Sequence, residues 1–410
     1  MRILIHGINF APEYTGVGKY TGEMAQWLSN RGHGVRVVTA PPYYPAWKVD
    51  KNFSNAMYKK ERYGNISVWR CPLYVPANPC GLKRIIHLAS FACFSIPVML
   101  MKIFWRPDVV ISIEPPLFCA PVSWFVSRMS GAKCWLHIQD FEVDAAFDLG
   151  VLQNKTLRQF VQKIEFWLMS RFDRVSTISP NMMSKLESRI TDSNSLVLFP
   201  NWVDTSLIYP LQVTSVFRQV LSIDNDQIVA LYSGNMGEKQ GLEILIESAL
   251  LLRDNNKIVF VLCGSGSALS RLQKLAKDLR NIRWLPLQPI EQLNDLLNMA
   301  DIHLLPQRAD AADLVMPSKL TGMLASGRPV ISTANKDTQV AKVIEKSGII
   351  VPPGDVCGLV KAIESLSKDN ELREQLGQNA RAYAVKNLGL EEVLSRFERA
   401  LFDMAIKNNN

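Results

Sequence analysis

Short apolar runs alternate with amphipathic stretches along the first half of the chain. The runs RILIHGI, VRVVTA, ISVWRC, DVVISI, AKCWLHI and RVSTIS are rich in aliphatic residues, and helical patterns lie between most of them. This alternation predicts parallel strands joined by helices that cover both faces of a sheet. A second series follows residue 210, with the runs IVALYSGN, IVFVLCGSG, IRWLPLQ, DIHLLPQ, RPVISTA and GIIVPP.

The segment SLVLFPNWVDTSLIYP, residues 195–210, separates the two series, because a last strand runs into a Pro-Asn pair there. A chain of 410 residues is long enough for two domains of ordinary size. We predict an α/β fold with two Rossmann-like doubly wound domains, at 1–203 and 204–385, facing a cleft. The helical pattern within 386–410 predicts a last helix that crosses back to the N-terminal domain.

Glycines mark the start of the first predicted helix, in the stretch GINFAPEYTGVGKYTGEMAQWL. Gly16 and Gly18 stand where a helix N-terminus offers backbone N–H groups to an anion. A dinucleotide is disfavoured, because the third glycine is displaced to Gly22 and the second strand ends without an acidic residue. A tight strand-to-helix turn with no ligand remains the alternative.

Glycines also follow two strands of the second series. Gly234 and Asn235 end its first strand, and Gly264 and Gly266 end its second. Ligands of open α/β sheets bind beyond the carboxyl ends of the strands. Each turn alone could be ordinary turn chemistry. Together with Gly16 and Gly18 they predict a nucleotide or phosphate held between two domains.

The net charge of +8 favours an anionic partner. The basic residues are dispersed, with no K/R block and no nucleic-acid motif, so nucleic acid ranks low as that partner. Seven scattered cysteines have no metal-ligand spacing. They predict reduced core thiols of a cytosolic protein and no metal site. The opening MRILIHG is too short for a signal peptide and predicts a first strand.

One apolar stretch leaves three interpretations open. Ile85–Met101 has 17 residues with no charge apart from a proton on His87, and basic residues flank it. It could be a buried helix packed on a sheet, or a helix lying on a bilayer surface with a basic rim. The third interpretation is a helix that spans the membrane. Such a helix needs about 20 apolar residues, Pro97 would kink it, and a predicted strand follows at once.

The order of several motifs resembles one enzyme family over essentially the whole chain. These motifs are GVGKYTGEMAQWLSNRGHGVRVVT, FPNWVD, LYSGNMGEKQGL, CGSGSALSRLQKLAKDLRNIRWLPLQ, ADIHLLPQ, and LASGRPVI followed by GIIVPPGD. They are similar to those of the family-four retaining GT-B glycosyltransferases.

The resemblance implies transfer of a sugar from a nucleoside-diphosphate sugar to an acceptor hydroxyl, with retention and without a metal or other cofactor. It implies donor binding by the C-terminal domain and acceptor binding by the N-terminal one. The likeness is closest to exopolysaccharide-building members, which implies GDP-fucose as donor and a lipid-linked oligosaccharide as acceptor. The protein would then be cytoplasmic and peripheral on the inner membrane face, with 85–101 as the membrane contact.

Departures from the family pattern direct attention to other cations. Asn235 occupies the position of the family's arginine, and Gln240 that of its lysine, with Lys239 one place earlier. The family's glutamate pair would fall at Leu314 and Gly322, so it is absent. A departing diphosphate still needs positive charge. In MPSKL, Ser318 and Lys319 precede a predicted helix, so we expect Lys319 first, and Lys239 second, to bind the diphosphate.

Acidic residues cluster after the strand in LHIQDFEVDAAFD. His137, Asp140 and Glu142 are therefore the candidate catalytic residues for an acceptor hydroxyl. In enzymes of this type the leaving phosphate oxygen takes the proton, so Asp140 would position the acceptor. The alternatives are a solvated acidic turn and, for His137, a core histidine.

Other chemistries are less well supported. Asp224-Asn225-Asp226 has the spacing of a metal-binding DxD motif, but it precedes a strand and predicts a turn. Hydrolase motifs are missing. Two rivals remain: a non-catalytic nucleotide-sugar-binding partner of a polysaccharide assembly system, and a sugar-nucleotide epimerase of the same architecture.

Overall fold

Two parallel sheets organise the chain in its computed structural model, which describes residues 1–77, 81–141, 155–188, 190, 195–308 and 317–406. Contacts divide the chain into a first unit, Met1–Pro200 with Leu394–Asn410, and a second unit, Asn201–Val393. The sequence-based division was at residues 203 and 385.

The first unit contains an eight-stranded sheet in the order β3-β4-β2-β1-β5-β6-β7-β8. Every pair is parallel except β3 with β4. The strands are β1 (Arg2–His6), β2 (Gly34–Thr39), β3 (Lys59–Tyr63), β4 (Ile66–Arg70), β5 (Val109–Glu114), β6 (Lys133–Ile138), β7 (Arg174–Thr177) and β8 (Leu196–Leu198). The pattern of apolar runs missed β3, because KKERY is an exposed and polar edge strand.

The helices of the first unit lie mainly between these strands, as the alternation predicts. They are α1 (Gly16–Asn30), α2 (Gly81–Met101), α3 (Ala120–Ser130), α4 (Lys155–Met169) and α5 (Pro180–Glu187). Helix α2 continues through Pro97, and a 3-10 turn at Ile103–Trp105 follows it.

The second unit contains a six-stranded sheet, entirely parallel, in the order β11-β10-β9-β12-β13-β14. Its strands are β9 (Ile228–Asn235), β10 (Ile258–Ser265), β11 (Ile282–Leu285), β12 (Ile302–Pro306), β13 (Val330–Thr333) and β14 (Gly348–Val351). Its helices are α6 (Val216–Val220), α7 (Glu243–Leu251), α8 (Leu269–Leu275), α9 (Leu293–Asn298), α10 (Ser318–Ala325), α11 (Gln339–Ile344), α12 (Val356–Lys368) and α13 (Asn370–Tyr383).

Alternate residues of β9 and β10 face opposite sides of this sheet. Tyr232 and Phe260 belong to a core with α7 and α12, whereas Leu231 and Val261 belong to a core with α9. Both faces are thus covered, as expected for the near-continuous apolar runs of a parallel sheet. The predicted fold class, two Rossmann-like α/β sheets, is confirmed.

The last helix, α14 (Leu390–Ile406), brings its carboxyl-terminal part to the first unit. Phe397 stacks on Phe199 with 4.2 Å between the ring centroids. The Glu398 carboxylate lies 2.8 Å from His33 Nε2 and 3.1 Å from an Arg31 guanidinium nitrogen. These contacts anchor the end of α14 on the first unit.

The cysteines only partly match the prediction of core thiols. Cys71, Cys119, Cys134 and Cys263 are buried, but Cys93 and Cys357 are exposed. For these two the prediction is wrong, because both lie on the outer faces of helices. Cys80 lies outside the described residues.

Candidate functional site

In the second unit, the carboxyl ends of the paired strands β9 and β10 and the turns that follow them pack closely together. A Cβ atom at Gly264 would lie 1.9 Å from the Gly234 carbonyl oxygen, and one at Gly266 would lie 2.4 Å from the Met236 carbonyl oxygen. Both glycines also have φ values near +155°, at +153° and +156°. The backbone contact between the turns therefore explains Gly264 and Gly266 without a ligand.

Lys319 reaches from the first turn of α10 to the end of β9. Its Nζ donates a 2.7 Å hydrogen bond to Tyr232 Oη, and it lies 4.5 Å from the centroid of that ring. Tyr232 Oη donates to the Asn235 carbonyl oxygen at 2.5 Å. A Cβ atom at Gly234 would lie 2.8 Å from Lys319 Cδ, so the glycine makes room for the lysine. The structure thus brings Lys319, Gly234 and Asn235 together.

The electrostatics of Lys319 suit an anion. Burial lowers the pKa of Lys319 to about 8, so the amine is still largely protonated at neutral pH. Within the described ranges the ammonium makes no ion pair; its contacts are the Tyr232 hydroxyl and ring. Exposed Ser318 begins α10, and the free N–H groups of this helix end also favour negative charge. An anion bound here would complete the environment of a desolvated cation.

The other cations near these turns differ from Lys319. The side chain of Lys239 lies outside the described part of the chain, and Asn235, at the family's arginine position, is exposed and uncharged. Arg271 is bound to two carboxylates, at 2.6 Å to Glu238 and more closely to Glu243. Lys319 is consequently the best-placed candidate for a diphosphate.

A separate pocket of about 520 Å³ lies in the same unit. Its wall includes residues at or just beyond the carboxyl ends of β12, β13 and β14: Gln307, Arg308, Thr333 and Pro353. Glu243 and Glu247 of α7 also line it. Arg308 lines the same pocket as these two carboxylates, and Glu243 is already paired with Arg271, so the polar groups of the pocket could bind hydroxyls. This pocket was not predicted from the sequence, in which the polar Gln307-Arg308 pair directly after a buried strand was the available signal.

In the first unit, the space beside Gly18 is filled by a buried carboxylate. Glu13 accepts hydrogen bonds from the Tyr43 and Tyr44 N–H groups at 3.1 and 3.0 Å and from the Asn9 amide at 2.9 Å. A Cβ atom at Gly18 would lie 2.4 Å from Glu13 Oε2. Burial raises the pKa of Glu13, although these hydrogen bonds oppose the rise.

Gly16 and Gly18 therefore have structural reasons of their own. Gly16 has a φ of +60°, which favours glycine. At position 18 the packing of Glu13 leaves no room for a side chain. The buried Arg70 guanidinium joins this loop to the loop after β2 by donating to the Ala11 and Ala40 carbonyl oxygens. These contacts account for both glycines without a ligand, as the alternative of a ligand-free turn would require, and the phosphate contact of this turn stays a prediction.

His137 and Asp140 occupy different environments at the end of β6. His137 is 2% exposed, its Nδ1 lies 2.9 Å from Ser176 Oγ, and burial lowers its pKa to about 3. These are the contacts of a core histidine rather than of a proton-transfer group open to substrate. Asp140 is half-buried just beyond the strand. Glu142 lies outside the described residues.

The residues described show no group of three or more His, Cys, Asp or Glu side chains arranged to hold a metal ion. Asp224 and Asp226 lie in the turn before β9, where the Gln227 N–H donates to the Asp224 carbonyl oxygen at 3.1 Å. This arrangement confirms the expected turn.

Comparison with known proteins assigns a class to this architecture. The model of the glycosyl transferase 4-like domain matches residues 15–202, and that of the glycosyl transferases group 1 matches residues 213–383. The chain belongs to the family-four glycosyltransferases, and it is an enzyme of that class.

Two proteins with similar sequences are also named as glycosyltransferases. The chain is 42% identical to WcaI of Escherichia coli K12, a glycosyl transferase named for colanic acid biosynthesis, over 97% of this chain and 98% of WcaI. It is 24% identical to WbjE of Pseudomonas aeruginosa, named as a glycosyltransferase, over 70% and 71% of the two chains.

Solved structures share the fold at low sequence identity. Sucrose-phosphate synthase of Thermosynechococcus elongatus has a TM-score of 0.74 at 16% identity, covering 98% of this chain and 99% of that one. Anabaena HepE, solved in complex with UDP-glucose, has a TM-score of 0.68 at 15% identity, covering 98% and 100%. These GT-B neighbours support the fold alone.

Proposed function

We propose that the protein transfers fucose from GDP-fucose to a lipid-linked oligosaccharide during exopolysaccharide assembly, with retention and without a bound metal. The likeness to WcaI along nearly the whole chain supports the exopolysaccharide role. The UDP-glucose in the HepE structure supports a nucleotide-sugar donor. Fucose, the guanine base and the acceptor follow from the family resemblance.

The observation that carries the proposal is the desolvated ammonium of Lys319 at the end of β9. In the reaction, the bond between the sugar C1 and the phosphate oxygen breaks and its electron pair leaves with the diphosphate. Lys319 and the first turn of α10 stabilise that charge, which grows in the transition state. The acceptor oxygen bonds to C1, and its proton passes to the leaving phosphate oxygen. Asp140 orients the acceptor hydroxyl.

This assignment explains how the chain could work without the family's arginine and glutamate pair. A charge-assisted hydrogen bond from Lys319 contributes about 1.5–3 kcal/mol, which corresponds to roughly 10- to 150-fold in rate or affinity. Because Tyr232 holds the ammonium and Gly234 leaves room for the lysine side chain, little reorganisation is needed when charge develops. No metal is required for this part of the stabilisation.

The test is product formation by the purified protein with a panel of GDP- and UDP-sugars and a lipid-linked oligosaccharide extract. We expect a deoxyhexose mass increment in the lipid fraction with GDP-fucose, unchanged by EDTA. The amount of this product should fall by more than about tenfold in Lys319→Met. Lys274→Met, an exposed lysine on α8, is the matched control. Transfer with another donor would replace fucose; binding without transfer, or release of an epimerised sugar nucleotide, would contradict the proposed activity.

A further inference from the structure

Helix α2 leaves one apolar face uncovered along its whole length. Six residues lie within one narrow arc of the helix and its following 3-10 turn, and we call them the α2 apolar stripe: Leu82, Ile86, Cys93, Pro97, Leu100 and Phe104. All six are exposed, with Leu82 at 67% and Phe104 at 89%. At 1.5 Å per residue the stripe is about 33 Å long. Contiguous apolar surface of this extent marks an interaction site.

The opposite face of α2 is fixed to the first unit. Ser95 Oγ lies 2.9 Å from His6 Nε2 on β1, and Phe91 packs at 5.7 Å from the His6 ring. His87 Nδ1 is bonded to the Tyr74 carbonyl oxygen. By length and composition alone, the segment Gly81–Trp105 could cross a membrane. Its 18-residue apolar window has a mean hydropathy of 1.7, yet 39% of that window is buried in the protein. A helix held in this way can lie against a surface more readily than it can span.

The charge around the α2 apolar stripe indicates which kind of surface the stripe contacts. From Arg62 to Pro107 the sequence contains six Lys and Arg residues and no Asp or Glu. Exposed Lys83 and Arg84 adjoin Leu82 at one end of the stripe, and exposed Arg106 adjoins Phe104 at the other. Each basic residue near an anionic leaflet contributes about 1 kcal/mol. A second copy of this chain is a poorer partner, because pairing of two α2 helices, parallel or antiparallel, would bring their cationic ends together.

We propose that the α2 apolar stripe is the surface by which the protein docks on an anionic lipid bilayer, with α2 lying in the plane of the interface. The stripe enters the boundary between head groups and acyl chains, and the basic residues at its two ends contact the lipid phosphates. This surface deepens the proposed function, because a lipid-linked acceptor is reached from the same membrane. The binding itself does not depend on sugar transfer.

The test is flotation of the full-length protein with vesicles of phosphatidylcholine, with and without phosphatidylglycerol, at low and high salt. We expect binding to the anionic vesicles that weakens in high salt. Leu82→Ser/Leu100→Ser/Phe104→Ser should lower the partition coefficient by at least about tenfold, because three apolar side chains leave the lipid. Lys83→Gln/Arg84→Gln/Arg106→Gln should lower it for anionic vesicles and remove most of the salt dependence.

The matched control is Leu275→Ser/Leu287→Ser/Ile290→Ser, which changes three apolar side chains of the second unit with 55–59% exposure. It should bind vesicles like the wild type. Equal loss in this control, or no flotation of the wild type, would overturn the proposal. Resistance to alkaline carbonate extraction would indicate a span, and self-association that the α2 variant abolishes without vesicle binding would indicate a second copy; either overturns it. GDP binding, measured in parallel, separates these outcomes from a failure of the proposed function.

Discussion

The contact between Gly18 and Glu13 distinguishes a packing role for the first glycine turn from a phosphate-binding role. In Gly18→Ala the new methyl group would lie 2.4 Å from Glu13 Oε2 and 2.7 Å from Glu13 Cβ. The second distance is roughly 1 Å shorter than the optimal carbon–carbon separation. Glu13 Cβ is next to the backbone, so a rotamer change of the carboxylate cannot relieve this contact. Either α1 or the loop before it must move.

The size of the effect follows from three contributions, and the hydrogen bonds are taken to be weakened by about half of one bond in total rather than broken. Overpacking typically costs about 1–3 kcal/mol, and replacing glycine by alanine in a helix returns at most about 1 kcal/mol. If Glu13 is displaced, its hydrogen bonds to Tyr43 and Tyr44 weaken, at about 1.5–3 kcal/mol for each bond to a charged group. We expect Gly18→Ala to destabilise the first unit by about 1–4 kcal/mol.

The assay is native-state hydrogen exchange of the peptides covering α1 and the Tyr43–Tyr44 segment, because a two-unit chain need not unfold in one step. In a Glu13→Gly background the clash disappears, so Gly18→Ala should become neutral or stabilising. Full stability of Gly18→Ala, or an unchanged cost in the Glu13→Gly background, would refute the packing explanation. Full stability together with lost turnover would restore the phosphate-binding interpretation.

Three other predictions concern titrating or buried groups. Burial lowers the pKa of Lys319 to about 8, and a diphosphate binds its protonated form. Above that pH the Kd of GDP should therefore rise and level off about 10- to 150-fold higher, but not in Lys319→Met; titration calorimetry checks this. His137→Ala should lower the free energy of unfolding by about 2–4 kcal/mol, as seen by thermal denaturation, with kcat of the folded enzyme little changed. Burial opposes ionisation of Glu398, but hydrogen bonds from His33 and Arg31 outweigh it and lower its pKa. The resulting stabilisation is present above the usual glutamate pKa and is lost as pH falls through the lowered one, so Glu398→Gln should flatten this acidic limb in exchange measurements at α14. A wild-type rise of the Kd with pH in Lys319→Met, full stability of His137→Ala or a wild-type acidic limb in Glu398→Gln would contradict the corresponding assignment.

The alternation of apolar runs was sufficient to predict both sheets, because buried parallel strands are apolar on both faces. It failed at β3, where KKERY forms an edge strand with little burial. The place of Lys319 at the start of a helix was also readable from MPSKL. Its contact with Tyr232, 87 residues earlier in the chain, depends on the order of strands in the sheet and has no local signal.

The turn with Gly16 and Gly18 shows a different limit of prediction from sequence. Local pattern correctly located the strand, the turn and the start of α1, but it could not distinguish a glycine required by a ligand from one required by a neighbour. The neighbour, Glu13, stands within the same stretch of sequence. Its burial became apparent only through the N–H groups of Tyr43 and Tyr44, which a different loop supplies.

The most direct test of the central claim is the Kd of GDP for the wild-type protein, Lys319→Met and the control Lys274→Met, measured by titration calorimetry near neutral pH. If the ammonium beside Tyr232 and Gly234 holds the donor diphosphate, Lys319→Met should weaken binding by about 10- to 150-fold, with Lys274→Met unchanged. Equal affinity of all three proteins would show that the diphosphate binds elsewhere and would contradict the account of the donor site.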